Sequence, residues 1–298
     1  MTHVAVLLGG WSAEREVSLV SGKAVSKALG NRGYRVTEID VERDVGERLA
    51  ELKPDVVFNA LHGRWGEDGC IQGVLEVLGL PYTHSGVLAS SVAMDKPLAK
   101  RVFETDDIPV PEGVIISRED LYRQEPLPRP FVIKPLNEGS SVGVRIVHAG
   151  DDALANGTWP LEGELLIERY IPGREIQVAV LNGRALGGIE IRPKSGFYDY
   201  DAKYTEGLAD HLMPAPVEAE TYARLLDFAE RAHTILGCRG ITRSDFRYDE
   251  ENDAIFILEI NTQPGMTPLS LVPEIAAHSG LGFEDLVVAL VEDAGVQR

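Results

Sequence analysis

Residues Val4-Ala5-Val6-Leu7-Leu8 form an unbroken apolar run that stops at Gly9-Gly10. A strand with no polar face must be covered on both sides, as in a parallel sheet flanked by helices. The pattern then repeats. Ser12 is placed to cap a helix running to about Leu29, with Gly30 and Gly33 ending it. Tyr34 to Asp40 reads as a second strand and Val45 to Leu52 as a helix stopped by Pro54. Asp55 to Ala60 is a third strand, and Gly69 to Leu78 a helix ended by Gly79 and Pro81. This alternation predicts a doubly wound parallel sheet over roughly the first ninety residues.

From about Met94 the pattern changes to strands in antiparallel-looking pairs, with a hairpin turn at Asn182-Gly183. Leu121 to Pro130 carries three prolines and is expected to be a loop, and Val217 to Leu236 has helical spacing. A chain of 298 residues makes two domains or three small ones. Its net charge of −18, with no run of Lys and Arg, argues against nucleic acid as a partner. A few local cations still suffice for a nucleotide. No apolar run approaches the ~20 residues of a membrane span. Met1-Thr2-His3-Val4 does not open a signal peptide, and Cys70 and Cys238 form neither a metal-ligand spacing nor a disulfide framework. The expected compartment is the cytoplasm, with no membrane partner.

Four segments carry groups suited to chemistry. In the first, Leu7 to Glu16, a strand ends in a glycine turn and a helix begins, where open α/β sheets bind ligands. Glu14 falls in the first helical turn, where a carboxylate offsets the helix dipole; it could equally hold a substrate ammonium. The glycines do not form G-x-G-x-x-G, which disfavours a dinucleotide-dependent dehydrogenase. In the second, Leu61-His62-Gly63-Arg64-Trp65-Gly66-Glu67-Asp68-Gly69, three glycines and two carboxylates shape a loop at the same sheet edge, although a lone histidine is usually structural. In the third, Lys134 ends an apolar strand ahead of Asn137-Glu138-Gly139-Ser140-Ser141-Val142-Gly143. Amides and hydroxyls of such a loop can cradle phosphate beside the lysine's charge, and a plain hairpin turn would look the same. Lys96, taken alone, is an ordinary solvated lysine.

The fourth segment pairs Arg243-Ser244-Asp245 with Glu259-Ile260-Asn261-Thr262-Gln263-Pro264-Gly265-Met266-Thr267 across a polar turn at Asp249 to Asp253. Centring the turn near Glu251 sets Arg243 opposite Glu259 with Asp245 diagonal to it. Equal parity then puts Arg243, Asp245, Glu259 and Asn261 on one face with Ile255 and Ile257, and Phe256, Leu258 and Ile260 on the other. Asp, Glu and Asn oxygens suit Mg²⁺ holding nucleotide phosphates. An Arg243–Glu259 ion pair fits the same spacing but leaves Asn261 to Gly265 without a purpose, which favours the metal.

Taken in order, these segments resemble the D-alanine–D-alanine ligases of the ATP-grasp superfamily, from Val4 to about Ala289. The most specific matches are Gly9-Gly10-x-Ser12-x-Glu14-x-Glu16-Val17-Ser18, Leu61-His62-Gly63, Glu138 to Gly143, Phe197-Tyr198-Asp199-Tyr200-x-x-Lys203-Tyr204, and Glu259-x-Asn261-Thr262-x-Pro264-Gly265-Met266-Thr267. The resemblance implies an α/β and α+β chain: an N-terminal doubly wound parallel-sheet domain over 1–93, then a two-domain ATP-grasp fold divided into 94–175 and 176–298. It implies ATP between the last two, with Lys96 and Lys134 at the phosphates, Glu138, Ser140 and Ser141 also binding the nucleotide, Glu168, Arg169 and Ile171 on the strand that holds adenine, Arg169 and Ile171 through backbone groups, and Glu175 at the ribose. Asp245, Glu259 and Asn261 would bind two Mg²⁺, for which Mn²⁺ can substitute. Glu14 would bind the first D-alanine's ammonium and form a triad with Ser140 and Tyr204; His62 and Lys203 would also line the substrate site. Arg243 and the Gly265 amide would hold the oxyanion, and Ser270 and Leu271 the second carboxylate. A homodimer is implied.

Asn156-Gly157-Thr158-Trp159-Pro160 departs from the family, which continues a helix there, and Gln263 and Pro268 fall at variable positions. The implied reaction joins two D-alanines through an acyl phosphate, for peptidoglycan precursors. A D-alanine–D-lactate ligase would share the chemistry, and such enzymes tend to carry Phe or His where this chain has Tyr204. A non-catalytic regulator on the same fold would be expected to lose part of the metal set.

Overall fold

The computed structural model describes residues 1–136, 143–151, 163–194 and 207–297. Strand β1 (His3–Leu8) is the centre of a parallel three-stranded sheet, between β2 (Arg35–Asp40) and β3 (Val56–Asn59). Every residue of β1 is buried. Val4 and Val6 pack with Val25, Ala28 and Leu29 of α1 (Arg15–Asn31). Ala5 and Leu7 pack on the other side with Leu49 of α2 (Val45–Leu52) and Leu75 of α3 (Cys70–Leu78). Alternation of side chains across a strand produces this doubly wound unit. Ser12 does not cap α1 as expected. Its hydroxyl donates to the His62 carbonyl at 2.7 Å and accepts from the Glu14 amide at 3.2 Å, so it fastens the glycine turn to the loop after β3. The helix starts at Arg15, and Gly30 lies inside it.

Helices α4 (Val87–Met94) and α5 (Lys96–Glu104) lead to an antiparallel sheet ordered β4-β7-β5-β6. These strands are β4 (Gly113–Ser117), β5 (Phe131–Pro135), β6 (Arg145–Val147) and β7 (Glu164–Arg169). The segment expected to be loop from Leu121 begins as the end of α6 (Arg118–Arg123): the Ser117 hydroxyl accepts from the Asp120 amide at 3.1 Å, and Leu121 is buried. The first proline comes only at Pro126.

The third sheet is ordered β10-β9-β8-β11-β12. Its strands are β8 (Arg174–Leu181), β9 (Arg184–Pro193), β10 (Ala209–Leu212), β11 (Ile241–Asp249) and β12 (Ala254–Asn261). Asn182 and Gly183 join β8 to β9 with positive φ at both, the twist a tight hairpin needs. One face lies under α7 (Ala219–Ile235), where Leu225, Ala229 and Ala232 meet Ile176, Val178 and Phe246. The other lies under α8 (Leu271–His278) and α9 (Phe283–Glu292), whose Ile275, Leu286 and Leu290 share one core with Val25 and Leu29 of α1. The parallel sheet is thus joined to the third sheet through a common apolar core.

The β11–β12 register differs from the expectation. Arg243 stands opposite Asn261 and Asp245 opposite Glu259, and a bulge after Asp245 sets Phe246 against Ile257. The extra residue, Leu258, inverts the parity beyond it. Ile255 and Ile257, expected on the face of the acids, are therefore buried with Phe246 under α7. Phe256 and Leu258 take the face of the acids instead: the Arg169 guanidinium lies 5.2 Å over the Phe256 ring, and Leu258 lines the cavity described below. Ile260 keeps the core face, as expected. Among the described residues no helix is long and apolar enough to cross a membrane.

His233 of α7 is buried with Nδ1 2.8 Å from Thr242 Oγ1. Burial, followed by the Arg239 charge, pushes its pKa down to about 4 from 6.5. As pH falls the unfolded chain takes up this proton first, so the contribution to stability is complete above pH 6.5 and is lost between 6.5 and 4. The shift corresponds to about 3 kcal/mol. His233→Gln should flatten that part of the acid-unfolding profile followed by circular dichroism. An unchanged slope would contradict the assignment.

Candidate active site

A cavity of about 410 Å³ lies between the second and third sheets, within the range of small-molecule sites. In β5 the alternation buries Phe131 and Ile133 in the core and turns Val132 and Lys134 to the cavity. Helix α5 begins where the Asp95 carboxylate accepts from the Leu98 amide at 3.0 Å, which places Lys96 on the first turn beside the same cavity. Lys100, one turn on, is also buried. Glu168 at the end of β7 lies between two lysines: Oε2 is 2.6 Å from Lys134 Nζ, and Oε1 is paired with Lys100. Burial pushes the Lys134 pKa down to about 8, opposed by Glu259, and lowers that of Lys100, with Lys134 adding to the effect. Lys100 was not anticipated. Its signal is the spacing of four from Lys96, on a helix that also buries Ala99 and Phe103.

Asp245 and Glu259 face the cavity from neighbouring strands. Arg243 grips Asp245 in a bidentate pair, Nε to Oδ1 at 2.7 Å and Nη2 to Oδ2 at 3.0 Å. Lys96 Nζ is 3.4 Å from Glu259 Oε2. Asn261 Oδ1 accepts from the Gln263 amide at 2.8 Å, which leaves that oxygen a second lone pair. Among the described residues no group of three or more His, Cys, Asp and Glu stands ready for a metal. The donor set here is two opposed carboxylates and one amide, hard oxygens suited to Mg²⁺.

Arg169, Ile171 and Glu175 line the same cavity. The Arg169 amide donates to the Glu112 carbonyl at 2.9 Å, and the Ile171 carbonyl accepts from Arg247 Nε at 3.1 Å. These two backbone groups are thus engaged within the protein. Arg247 also donates to the Gly173 carbonyl at 2.7 Å and reaches Glu175 at 3.7 Å, so it holds the chain from 171 to 175 in place. It was not anticipated either, although its parity with Arg243 and Asp245 puts it on their face.

A second group of residues meets where the loops after β1 and β3 face the loop after β12. Glu14 is buried, and its carboxylate presses on Gly63: a Cβ there would lie 2.7 Å from Glu14 Oε2. The His62 ring lies between Ser21 Oγ, 3.1 Å from Nε2, and the Gln263 carbonyl, 3.2 Å from Nδ1. An Nδ1–H tautomer satisfies both, because the Ser21 hydroxyl, which accepts from the Met266 amide at 3.2 Å, can donate to Nε2. Gly265 has no room for a side chain, since a Cβ would meet Ser270 Oγ at 2.7 Å. Ser270 precedes α8, and its hydroxyl accepts from the Thr267 amide at 3.0 Å. So the structure brings Glu14, His62, Gly265, Ser270 and Leu271 to one region, next to the acid pair through Asn261. The expectations for Glu138, Ser140, Ser141, Lys203 and Tyr204, with the Glu14–Ser140–Tyr204 triad and the Asn156–Pro160 departure, lie outside the described residues.

Two sequence profiles match the chain, one described as D-ala D-ala ligase N-terminus over residues 44–85 and one as D-ala D-ala ligase C-terminus over 102–292. A D-alanine–D-alanine ligase of Novosphingobium aromaticivorans is 55% identical over 300 residues, covering 98% of this chain and 96% of that protein. The crystal structure of a D-alanine–D-alanine ligase from Bacillus anthracis superposes with a TM-score of 0.84 at 31% identity, covering 98% of this chain and 97% of that one. The ATP complex from the same organism has a TM-score of 0.82 at 27% identity, over 98% and 97% of the two chains.

Proposed function

The chain belongs to the D-alanine–D-alanine ligase family, and we infer from its site how it joins two D-alanine molecules at the expense of ATP. The observation that carries this reading is one cavity in which buried lysines face an opposed pair of carboxylates, with the loops that carry Glu14, His62 and Gly265 meeting next to Asn261. Lys96 and Lys134 supply the charge that holds the phosphates, while Val132, Ile146, Ile191 and Leu258 offer apolar walls to the base. Glu175 takes the ribose. Asp245, Glu259 and Asn261 would hold two Mg²⁺, or Mn²⁺ in their place. Bound there, the ions supply charge neutralisation at the transferring phosphoryl group.

Glu14 holds the ammonium of the first D-alanine, so that the D-alanine carboxylate is aimed at the γ-phosphorus of ATP; its attack breaks the bond to the β-phosphate, releasing ADP and giving the acyl phosphate. The second D-alanine is seated by its carboxylate at the start of α8, at Ser270 and Leu271; its amine, having lost a proton, attacks the acyl carbon, and inorganic phosphate leaves from the tetrahedral intermediate. Arg243 and the Gly265 amide take the oxyanion, a role worth about 3–4 kcal/mol per donor. Arg243 is held by Asp245 through Nε and Nη2, and its guanidinium carries further N–H donors for this role. Water must be kept from the acyl phosphate, which it would otherwise hydrolyse before the amine attacks. In this reading the domains divide near 93 and 175, one sheet to each, and the protein works in the cytoplasm as a homodimer, making peptidoglycan precursor.

Phosphate release from ATP with D-alanine, L-alanine, D-lactate or nothing added, followed by product analysis, tests it. The expected result is release dependent on D-alanine with D-alanyl-D-alanine as product. Depsipeptide formed with D-lactate at neutral pH would instead make the chain a D-alanine–D-lactate ligase, and silence with every addition would make it a nucleotide-binding regulator.

A further inference from the structure

Gln263 is a polar side chain of which only 1% is exposed. Its Oε1 accepts from Asn59 Nδ2 at 3.1 Å, and its Nε2 donates to the Asn59 carbonyl and lies 3.3 Å from His84 Nδ1. Its backbone is equally committed: the amide donates to Asn261 Oδ1 at 2.8 Å and the carbonyl faces His62 Nδ1 at 3.2 Å. Asn59 ends β3, and the rest of its amide braces the loop that follows. Nδ2 also donates to the Gly66 carbonyl at 2.9 Å, and Oδ1 accepts from the Leu61 amide at 3.1 Å.

Gln263 therefore joins two loops from different sheets. One carries His62 and Gly63 against Glu14; the other carries Asn261 and Gly265. Loss of either partner would leave a buried donor or acceptor unsatisfied, and a satisfied buried network specifies a single arrangement. We propose that Gln263 is a positioning residue that holds the amino-acid-binding loops of the parallel sheet in register with the acid pair and the oxyanion donor of the third sheet. This rests on the ligase reading above. Transfer between two bound amino acids is sensitive to such register, since a displacement of about 1 Å can cost ~100-fold. Gln263 does not line the nucleotide cavity, so ATP binding is not expected to depend on it.

Gln263→Met keeps the length of the side chain and removes both amide groups. The dissociation constant of a non-hydrolysable ATP analogue should stay within about twofold, whereas the KM for D-alanine should rise about tenfold or more. Phosphate released per dipeptide formed should also rise, because a misaligned acyl phosphate is lost to water. Gln263→Asn, with both amide groups on a stem one carbon shorter, should show the same changes to a smaller degree, and it decides the matter if the Met variant does not fold. Unchanged KM and coupling in a folded variant would overturn the proposal, as would an equal loss of ATP-analogue binding, the mark of a general structural role. A natural chain that forms no dipeptide would sink the ligase reading itself, a result obtained before any variant is made.

Discussion

Glu259→Gln is expected to lower dipeptide formation by about 100- to 1,000-fold or more, the range seen when one electrostatic partner of a transition state is removed, while the melting temperature barely moves. The two effects separate because of where the carboxylate sits. Its side chain is 30% exposed and its ion pair with Lys96 is 3.4 Å long. Lys96 is buried, but the carboxylate is partly hydrated and the contact is long, so the pair is worth on the order of 1 kcal/mol to the fold. In the reaction proposed above, the same carboxylate, facing Asp245, would be a hard metal ligand needed at each turnover. The amide keeps the shape and loses the charge. Near-normal turnover by the purified variant at saturating Mg²⁺ would rule out the metal assignment.

The opposite pattern is expected of Glu168→Gln. This carboxylate is 1% exposed and lies between the ammonium groups of Lys134 and Lys100. The substitution leaves two buried lysines without their shared anion. Breaking a buried pair in this way costs about 3–5 kcal/mol, which for a chain of this size lowers the melting temperature by roughly 10 °C. Lys134 also loses the partner that fixes it at the cavity wall, so the KM for ATP should rise as well. Calorimetry of the purified variant provides the check. A melting point within about 2 °C of the natural chain would show that the two lysines do not depend on Glu168.

The two acids would be hard to tell apart in the sequence. Each lies within two residues of the end of an apolar strand. Lys100 and Arg247 show the same difficulty. Both are ordinary cations in the sequence, and both acquire a role only because β7, α5 and β11 meet at one cavity. Conversely, Glu14 and His62 lie in short runs of small and polar residues after a strand, which mark them in the sequence, whereas Gly265 and Ser270 gain their roles only through the resemblance to the family. The structure then brought those runs together.

What the sequence determined by itself follows from local rules. The burial of β1 on both faces, the α/β alternation before residue 60, the Asn182-Gly183 hairpin and the presence of Asp245, Glu259 and Asn261 on one face all follow from side-chain periodicity and turn chemistry, which act over a few residues. Only the tertiary structure decided the register of β11 against β12. Counting back from the turn assumes one residue opposite one residue. The bulge after Asp245 breaks that count, because the core under α7 takes Phe246, Ile255 and Ile257 while the cavity takes Asp245 and Glu259. No local preference sets such a shift; it is the arrangement that buries the apolar side chains and still presents both acids to the site.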